Sequence, residues 1–507
     1  MHLPGLCPES GADDMSQDTH SLQALRARYG ERHRWLLLLS VMLGTMASVM
    51  SSTIMNVAIP DMSQHFTLGQ TRVQWVSSGF MVAMTVSMLT TPWLLSRFGY
   101  RRTYEMCMLL LLGGGIGGGL ANDYSWVLVA RIVEGLAAGV VQPIPVIIIM
   151  NAFAPEERGR ASGLFGTGVV LAPAIGPSVG GLLVDAFGWR SIFFMVVPLA
   201  LAALWLARRY VPTTAPGGVP AHAGGRLDWL GLLLALVGTV LLLNGMVAWR
   251  EVGASWGMPL LASALGVAAV FVVWQRRLQR RHQHHAKGAQ APLMDLRVFT
   301  HRSFAMGSLV AMIYGTALFG STYLLPVFMQ SGLGLSASYV GSALLPAGFM
   351  LAITISLVGR WADRTDKRRL VLVGLVLLTC SFVLMSTVDP DHGLLSLWLW
   401  VIVGRVGLGF VLPSLNLGSM QGMPAHLIPQ GASVVNFLRM LGGAAGVSLC
   451  AIVLEWRLSV MDVALLGLGD VHARLHAFHD TFWFLAVLTA LAIIPAWLIA
   501  APAHKKD

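Results

Sequence analysis

The chain has 507 residues, 55% of them apolar and 11% charged, well under half of the roughly 25% charge usual in soluble proteins; its mean hydropathy is +0.69. That balance excludes an ordinary soluble enzyme and calls for lipid against the apolar surface, at about 20 residues per crossing. The net charge of +10 reads as basic loops that set membrane topology rather than as a nucleic-acid surface.

Residues 1–34 hold acids, arginines and no apolar run before Trp35, so no cleavable signal peptide is expected and the start is read as cytoplasmic, with Met1 or Met15 as the initiator. Lipidation at Cys7 is not expected, because no hydrophobic stretch precedes it. Apolar segments then recur at 35–59, 73–95, 103–121, 126–150, 162–184, 189–206, 227–247, 256–274, 303–329, 340–359, 370–388, 395–420, 432–454 and 481–499. These predict fourteen spans. Trp35, Trp126, Trp189, Trp256, Trp274 and Trp483 fall at segment ends, where an amphipathic ring meets the headgroups. With the N-terminus inside, most Lys and Arg fall in inner loops, so both termini are expected in the cytoplasm. The longest basic loop, 275–302, carries His282, His284 and His285, but no acid or cysteine completes a metal-ligand set. Cys7, Cys107, Cys380 and Cys450 have neither paired nor metal-ligand spacing. No metal and no cofactor is predicted, and with no nucleotide-binding motif the chain is not expected to be an ATPase or any other enzyme.

Two loops echo each other: Pro92 to Arg102 reads PWLLSRFGYRR and Gly359 to Arg369 reads GRWADRTDKRR. A duplicated half-transporter produces such a repeat. The fifth segment contains GTGVVLAPAIGPSVGG from Gly166 to Gly181, in which Gly176, Pro177, Gly180 and Gly181 remove bulk and a backbone donor, allowing close helix approach and bending. The fourth carries Arg131, Gly135, Gly139 and Pro143; the sixth opens with Gly188-Trp189-Arg190; the thirteenth holds Asn436 and Arg439 in a glycine-rich run.

On these residues the sequence resembles the major facilitator superfamily, in its fourteen-span drug:proton antiporter branch of the EmrB/QacA type. The resemblance implies an all-α membrane protein with two six-helix bundles, 35–206 and 303–499, two inserted helices within 207–302, an N-terminal segment 1–34 and a tail 500–507. It implies proton-coupled export of small hydrophobic, amphipathic or cationic compounds across the inner membrane by rocking of the bundles, with a periplasmic adaptor as a partner in some relatives. The outer loop 455–480 would be its docking place. Arg97, Gly99, Arg101, Asp363 and Arg364 match the family's gating loops, and Asn56 its first-span motif. Two departures stand out: Ser51 occupies the place of the first-span acid and Ser96 that of the first loop acid, whereas the C-terminal copy keeps Asp363. Rival readings are a dedicated metabolite or siderophore exporter on the same fold, and a non-transporting sensor or scaffold.

Charges deep in a span cost about 2.5 to 3.5 kcal/mol, so they face protein or water. Arg131, Glu134, Arg405 and Arg439 are the deep ones; Glu105, Asp185 and Asp228 lie near span ends and read as interface acids. Glu134 stands where the family usually has Gln. It and Ser51 both lie about 12 Å from the outer boundary, and the resemblance places their two spans side by side, so that Glu134 is expected to carry the proton that Ser51 cannot; the alternative is a structural ion pair that only neutralises Arg131. Desolvation and Arg131, three residues away on the same face, act in opposite senses on that proton. The stripe of Met42, Met46 and Met50 is read as packing, and the Gly113 to Gly119 run as close helix contact rather than a phosphate loop.

Overall fold

The computed structural model describes residues 20–213, 225–284, 290–388, 394–463 and 471–499; Met1, Met15, Cys7, His285 and the tail lie outside them. The helices, in chain order, are α1 (Leu22–Tyr29), α2 (His33–His65), α3 (Gln70–Val73), α4 (Trp75–Ser87), α5 (Thr91–Gly119), α6 (Tyr124–Val141), α7 (Ile144–Ala152), α8 (Arg158–Phe187), α9 (Ser191–Tyr210), α10 (Trp229–Glu251), α11 (Ala254–His284), α12 (Arg302–Val327), α13 (Ala337–Ala362), α14 (Lys367–Met385), α15 (Leu394–Ser419), α16 (Ile428–Val460), α17 (Val471–Leu491) and α18 (Ile493–Trp497). Among the described residues there is no strand.

Among the described residues, twelve helical stretches are long and apolar enough to cross a membrane. One of them, Trp75–Gly119, holds two of the apolar segments, because the backbone leaves the helical region at Gly99 (φ 77°, ψ 172°) and folds into two legs. That positive φ suits glycine, and a Cβ there would meet the Thr213 carbonyl oxygen at 2.9 Å. The 30-residue α8, about 45 Å long, carries one further segment. The fourth segment is shared by α6 and α7, which part around Pro143, whose ring removes a backbone donor.

Helix pairing is similar in the two halves. In the first, α2 packs on α8 and α9, α4 on α6, and α5 on α6 and α9; in the second, α12 packs on α16, α13 on α15 and α14 on α17. The inserted α10 and α11 form a hairpin, and α10 leans on α4 and α16. Two expected loops are shorter than the sequence suggested. Residues 275–284 continue α11, because Gln275, Arg276, Arg277, Leu278 and Gln279 are good helix formers that keep the helix going past the apolar run. Within 455–480, α16 runs on to Val460 and α17 begins at Val471; 464–470 lie outside the described residues.

The halves close on each other at their basic ends. Val358, Ala362, Leu370, Leu417 and Met420 of the second half share one apolar cluster with Leu95, Ile147, Met150, Phe153 and Ala161 of the first. At the opposite end, the cluster around Ile54, Val76, Trp189 and Phe193 contains first-half residues alone. Glycines make the closure possible. A Cβ on Gly359 would meet the Gly163 Cα at 2.5 Å, and one on Gly163 would meet the Gly359 Cα at 3.0 Å, so α8 and α13 touch backbone to backbone.

Replacing Gly163 or Gly359 by Leu should therefore cost about 1–3 kcal/mol of overpacking in this closed arrangement and shift the population toward one open at the basic side. Spin-label distances between the basic ends of α8 and α13 should lengthen in both variants. Unchanged distances would remove the seam's role in closure.

Candidate functional site

The apolar helix α6 buries Arg131 and Glu134, each 1% exposed, one turn apart. Arg131 Nη1 donates to Glu134 Oε2 at 2.5 Å and to Ser51 Oγ at 2.7 Å; Nη2 donates to the Ser51 carbonyl at 3.1 Å and Nε to the Val76 carbonyl at 3.4 Å. Ser51 Oγ in turn donates to Glu134 Oε2 at 3.1 Å. The guanidinium carbon lies 4.1 Å from the centre of the Phe80 ring, so the cation is met by an acid on one side and a π-face on another. One cation thus ties α2, α4 and α6 together. The other carboxylate oxygen, Glu134 Oε1, is buried without a hydrogen-bond partner.

Room for this cluster comes from the glycine run of α5. A Cβ on Gly114 would collide with the Glu134 Cγ, and one on Gly115 would lie 3.5 Å from Oε1. Gly118 and Gly119 face Phe193 and Phe194 of α9, while Gly113 and Gly117 have nothing near them. The run is thus a packing face. Sequence reasoning brought Ser51, Arg131 and Glu134 together, as the structure does. It missed Val76 and Phe80, whose parts depend on the packing angle of α4. The carboxylate is also enclosed between helices of one half, instead of standing open in a cavity between the halves.

The other expected residues lie elsewhere. Asn56 is exposed and accepts from Ser77 Oγ at 2.9 Å. Arg439 Nη2 donates to Asn436 Oδ1 at 2.6 Å in the second half. Gly176 and Gly180 pack on Met50, Thr53 and Ile54 of α2, and a Cβ on Gly181 would meet Val57 at 4.0 Å; Gly168 takes Met42 and Met46. The small-residue stripe of α8 and the methionine stripe of α2 are therefore two sides of one contact within the first half. The side chain of Pro177 lies outside the described residues. Asp228, read as an interface acid, is 1% exposed: it accepts from the Gly231 N–H at 2.9 Å, Trp274 Nε1 at 2.9 Å and Gln275 Nε2 at 2.6 Å, capping α10 and clamping it to α11. Glu105 pairs with Arg101 at 3.1 Å, and Asp185 is exposed.

The gating loops are asymmetric. Asp363, at the end of α13, accepts from the backbone N–H groups of Gly159 (2.5 Å) and Arg160 (2.9 Å), a carboxylate seated on the N-terminus of α8 across the two halves. Partial burial lifts its proton affinity above the usual carboxylate range, against the pull of those two donors and of Lys367. Acid on that side therefore discharges it earlier than it would an exposed aspartate. Its counterpart Ser96 donates to the Trp93 carbonyl of its own leg. Arg97 and Arg364 are exposed.

The family model of the Major Facilitator Superfamily matches residues 41–249 and 227–447, and the chain belongs to that family. It is 28% identical over 420 residues to the multidrug export protein EmrB of Haemophilus influenzae, covering 82% of this chain and 79% of that one. It is 25% identical over 412 residues to the lincomycin resistance protein LmrB of Bacillus subtilis, covering 81% and 83%. Within the family these relatives place it in the EmrB/QacA-like branch. The structure of the proton:xylose symporter XylE superposes with a TM-score of 0.65 at 12% identity, over 93% of this chain and 97% of that one; that likeness is one of fold. The chain is a multi-pass membrane protein.

Asp363→Asn keeps the size of the side chain but removes its charge and leaves one of the two N–H donors without an acceptor. Turnover should fall roughly tenfold, the weight of one charge-assisted hydrogen bond of about 1.5 kcal/mol, with membrane insertion unchanged because the basic neighbours still set topology. Normal turnover would remove this role.

Proposed function

We propose that the protein is a secondary active exporter of hydrophobic or amphipathic compounds, working by alternating access in the inner membrane, and that Glu134 carries its coupling proton. The names of its relatives support the class of cargo; the buried Arg131–Glu134–Ser51 cluster with its idle oxygen carries the coupling. The basic ends face the cytoplasm, so the arrangement described is closed inward.

The chemistry follows from the cluster. While Glu134 is ionised, it neutralises Arg131, and Arg131 holds Ser51 of α2 and Val76 of α4. Protonation discharges the acceptor and strands a buried guanidinium, a change worth about 3–5 kcal/mol when a buried ion pair is broken. The helices relieve that cost by moving, so proton uptake and tilting of α2 against α8 are one event. Because Glu134 is enclosed within one half, substrate and proton do not compete for its oxygens. They are linked through the position of α2, which carries Ser51 and lies along the glycine face of α8.

Glu134→Gln should abolish pH-gradient-driven export, by about a hundredfold or more, while binding survives and loses its pH dependence. Ser51→Asp in that background should restore part of the flux. Both are read in proteoliposomes with a panel of amphipathic compounds, lincomycin among them, and normalised to folded protein. A Gln variant that merely folds poorly, yet keeps gradient-driven flux per folded molecule, would show Glu134 to be a structural partner only.

A further inference from the structure

We infer that the second half carries an anion-recognition site built from Arg405 and Arg439, and that the exported amphiphile bears a negative group. The inference rests on the exporter reading for the word exported, and on geometry for the rest. Arg405 lies about 16 Å along α15 from Leu394, and Arg439 about 16 Å along α16 from Ile428. The two helices run in opposite senses, so both guanidinium groups stand near mid-height.

They face inward. Arg405 shares a helix face with Leu408, whose carbonyl accepts from Tyr314 Oη at 3.4 Å, and with Gly409, which packs on Thr354 and Ile355 of α13. Arg439 is flanked by Met440, which packs with Phe80 and Met84 of the first half, and its carbonyl oxygen lies against Gly315 of α12. Tyr314 and Gly315, adjacent on α12, thus meet the helix turns that carry the two arginines. Both arginines are partly exposed, although Gly404, Gly407, Leu408 and Met440 around them are buried.

Neither has an acid. Within the described residues of the helices α12 to α17 themselves the carboxylates are Glu455 and Asp480, held near the far end by Arg250 at 3.7 Å and Arg457 at 2.5 Å, while Asp363, Asp366 and Asp462 lie just beyond helix ends. Arg439 has the neutral Asn436 as its partner, and Arg405 makes no hydrogen bond or ion pair among the described residues. Arg131 of the first half shows the alternative, full neutralisation by Glu134. Two partly exposed mid-membrane cations without a counter-ion among the described residues are a site for a planar anion such as a carboxylate or sulfonate, which the guanidinium fork grips bidentately. This departs from the cationic cargo that the resemblance implies. It also fits an inside-negative membrane: one proton entering and one monoanion leaving both move positive charge inward.

The test uses the full-length protein in phosphatidylcholine nanodiscs, with three probes of equal body: pyrenebutyrate, its trimethylammonium counterpart and the uncharged pyrenebutanol. Wild type should bind pyrenebutyrate about tenfold or more tighter than the ammonium probe. Arg405→Lys and Arg439→Lys should keep most of that preference, and the double Gln variant should lose it while still binding pyrenebutanol. Equal or tighter binding of the ammonium probe by wild type would overturn the inference, as would a preference that survives in the double Gln variant. The two readings separate in proteoliposomes. Gradient-driven flux of the ammonium probe alone would sink the anion site and leave the exporter standing, whereas carboxylate-selective binding without flux would sink the exporter and leave the site.

Discussion

A guanidinium in the middle of a hydrocarbon layer has to be neutralised by something, and this protein solves that problem differently in its two halves. In the first, Arg131 is answered by Glu134, Ser51 and the Phe80 ring, all within a cluster almost closed to solvent. Because the cation also takes backbone carbonyls from α2 and α4, the proposed protonation of Glu134 would change how three helices stand relative to one another. In the second half, Arg405 and Arg439 meet no acid among the described residues, and on the proposed reading the counter-charge is left for the cargo to bring. On the proposed reading, proton handling and cargo recognition fall on separate halves, joined by the movement of one against the other.

That movement needs an interface that holds and lets go. The seam of α8 and α13 is built from backbone contacts at Gly159, Gly163 and Gly359, which carry little side-chain interlock, and from one carboxylate, Asp363, on the N-terminus of α8. A second, symmetry-related carboxylate is missing because Ser96 stands in its place and bonds within its own leg. Beside the shared apolar cluster and the Thr167–Ala352 hydrogen bond, closure at the basic side thus has one half-buried carboxylate where a symmetric pair would have two. Within the first half, the glycines of α8 pack on the methionines of α2, and on the proposed reading this is the face along which α2 tilts.

Much of this was legible in the sequence. Charge placement and segment spacing gave the crossings, and depth counted along two helices brought Ser51 beside Glu134, because helical rise is uniform and does not depend on packing. What depends on packing was hidden. The roles of Val76 and Phe80 follow from the angle of α4. Asp228 was misjudged because proximity to a span end does not reveal that Trp274 and Gln275, half a hairpin away, fold back onto it. The helical extension of 275–284 was missed because polarity marks where lipid ends, not where a helix ends, and Arg and Gln continue a helix well.

The central claim, that one buried carboxyl changes its protonation as the halves move, is tested most directly by infrared difference spectroscopy of the reconstituted protein as pH is lowered. The account predicts a protonated-carboxyl band that grows in step with lengthening spin-label distances at the basic ends of α8 and α13, and that vanishes in the Glu134→Gln protein. The same band at full strength in that variant, or movement of the helices without any such band, would contradict it.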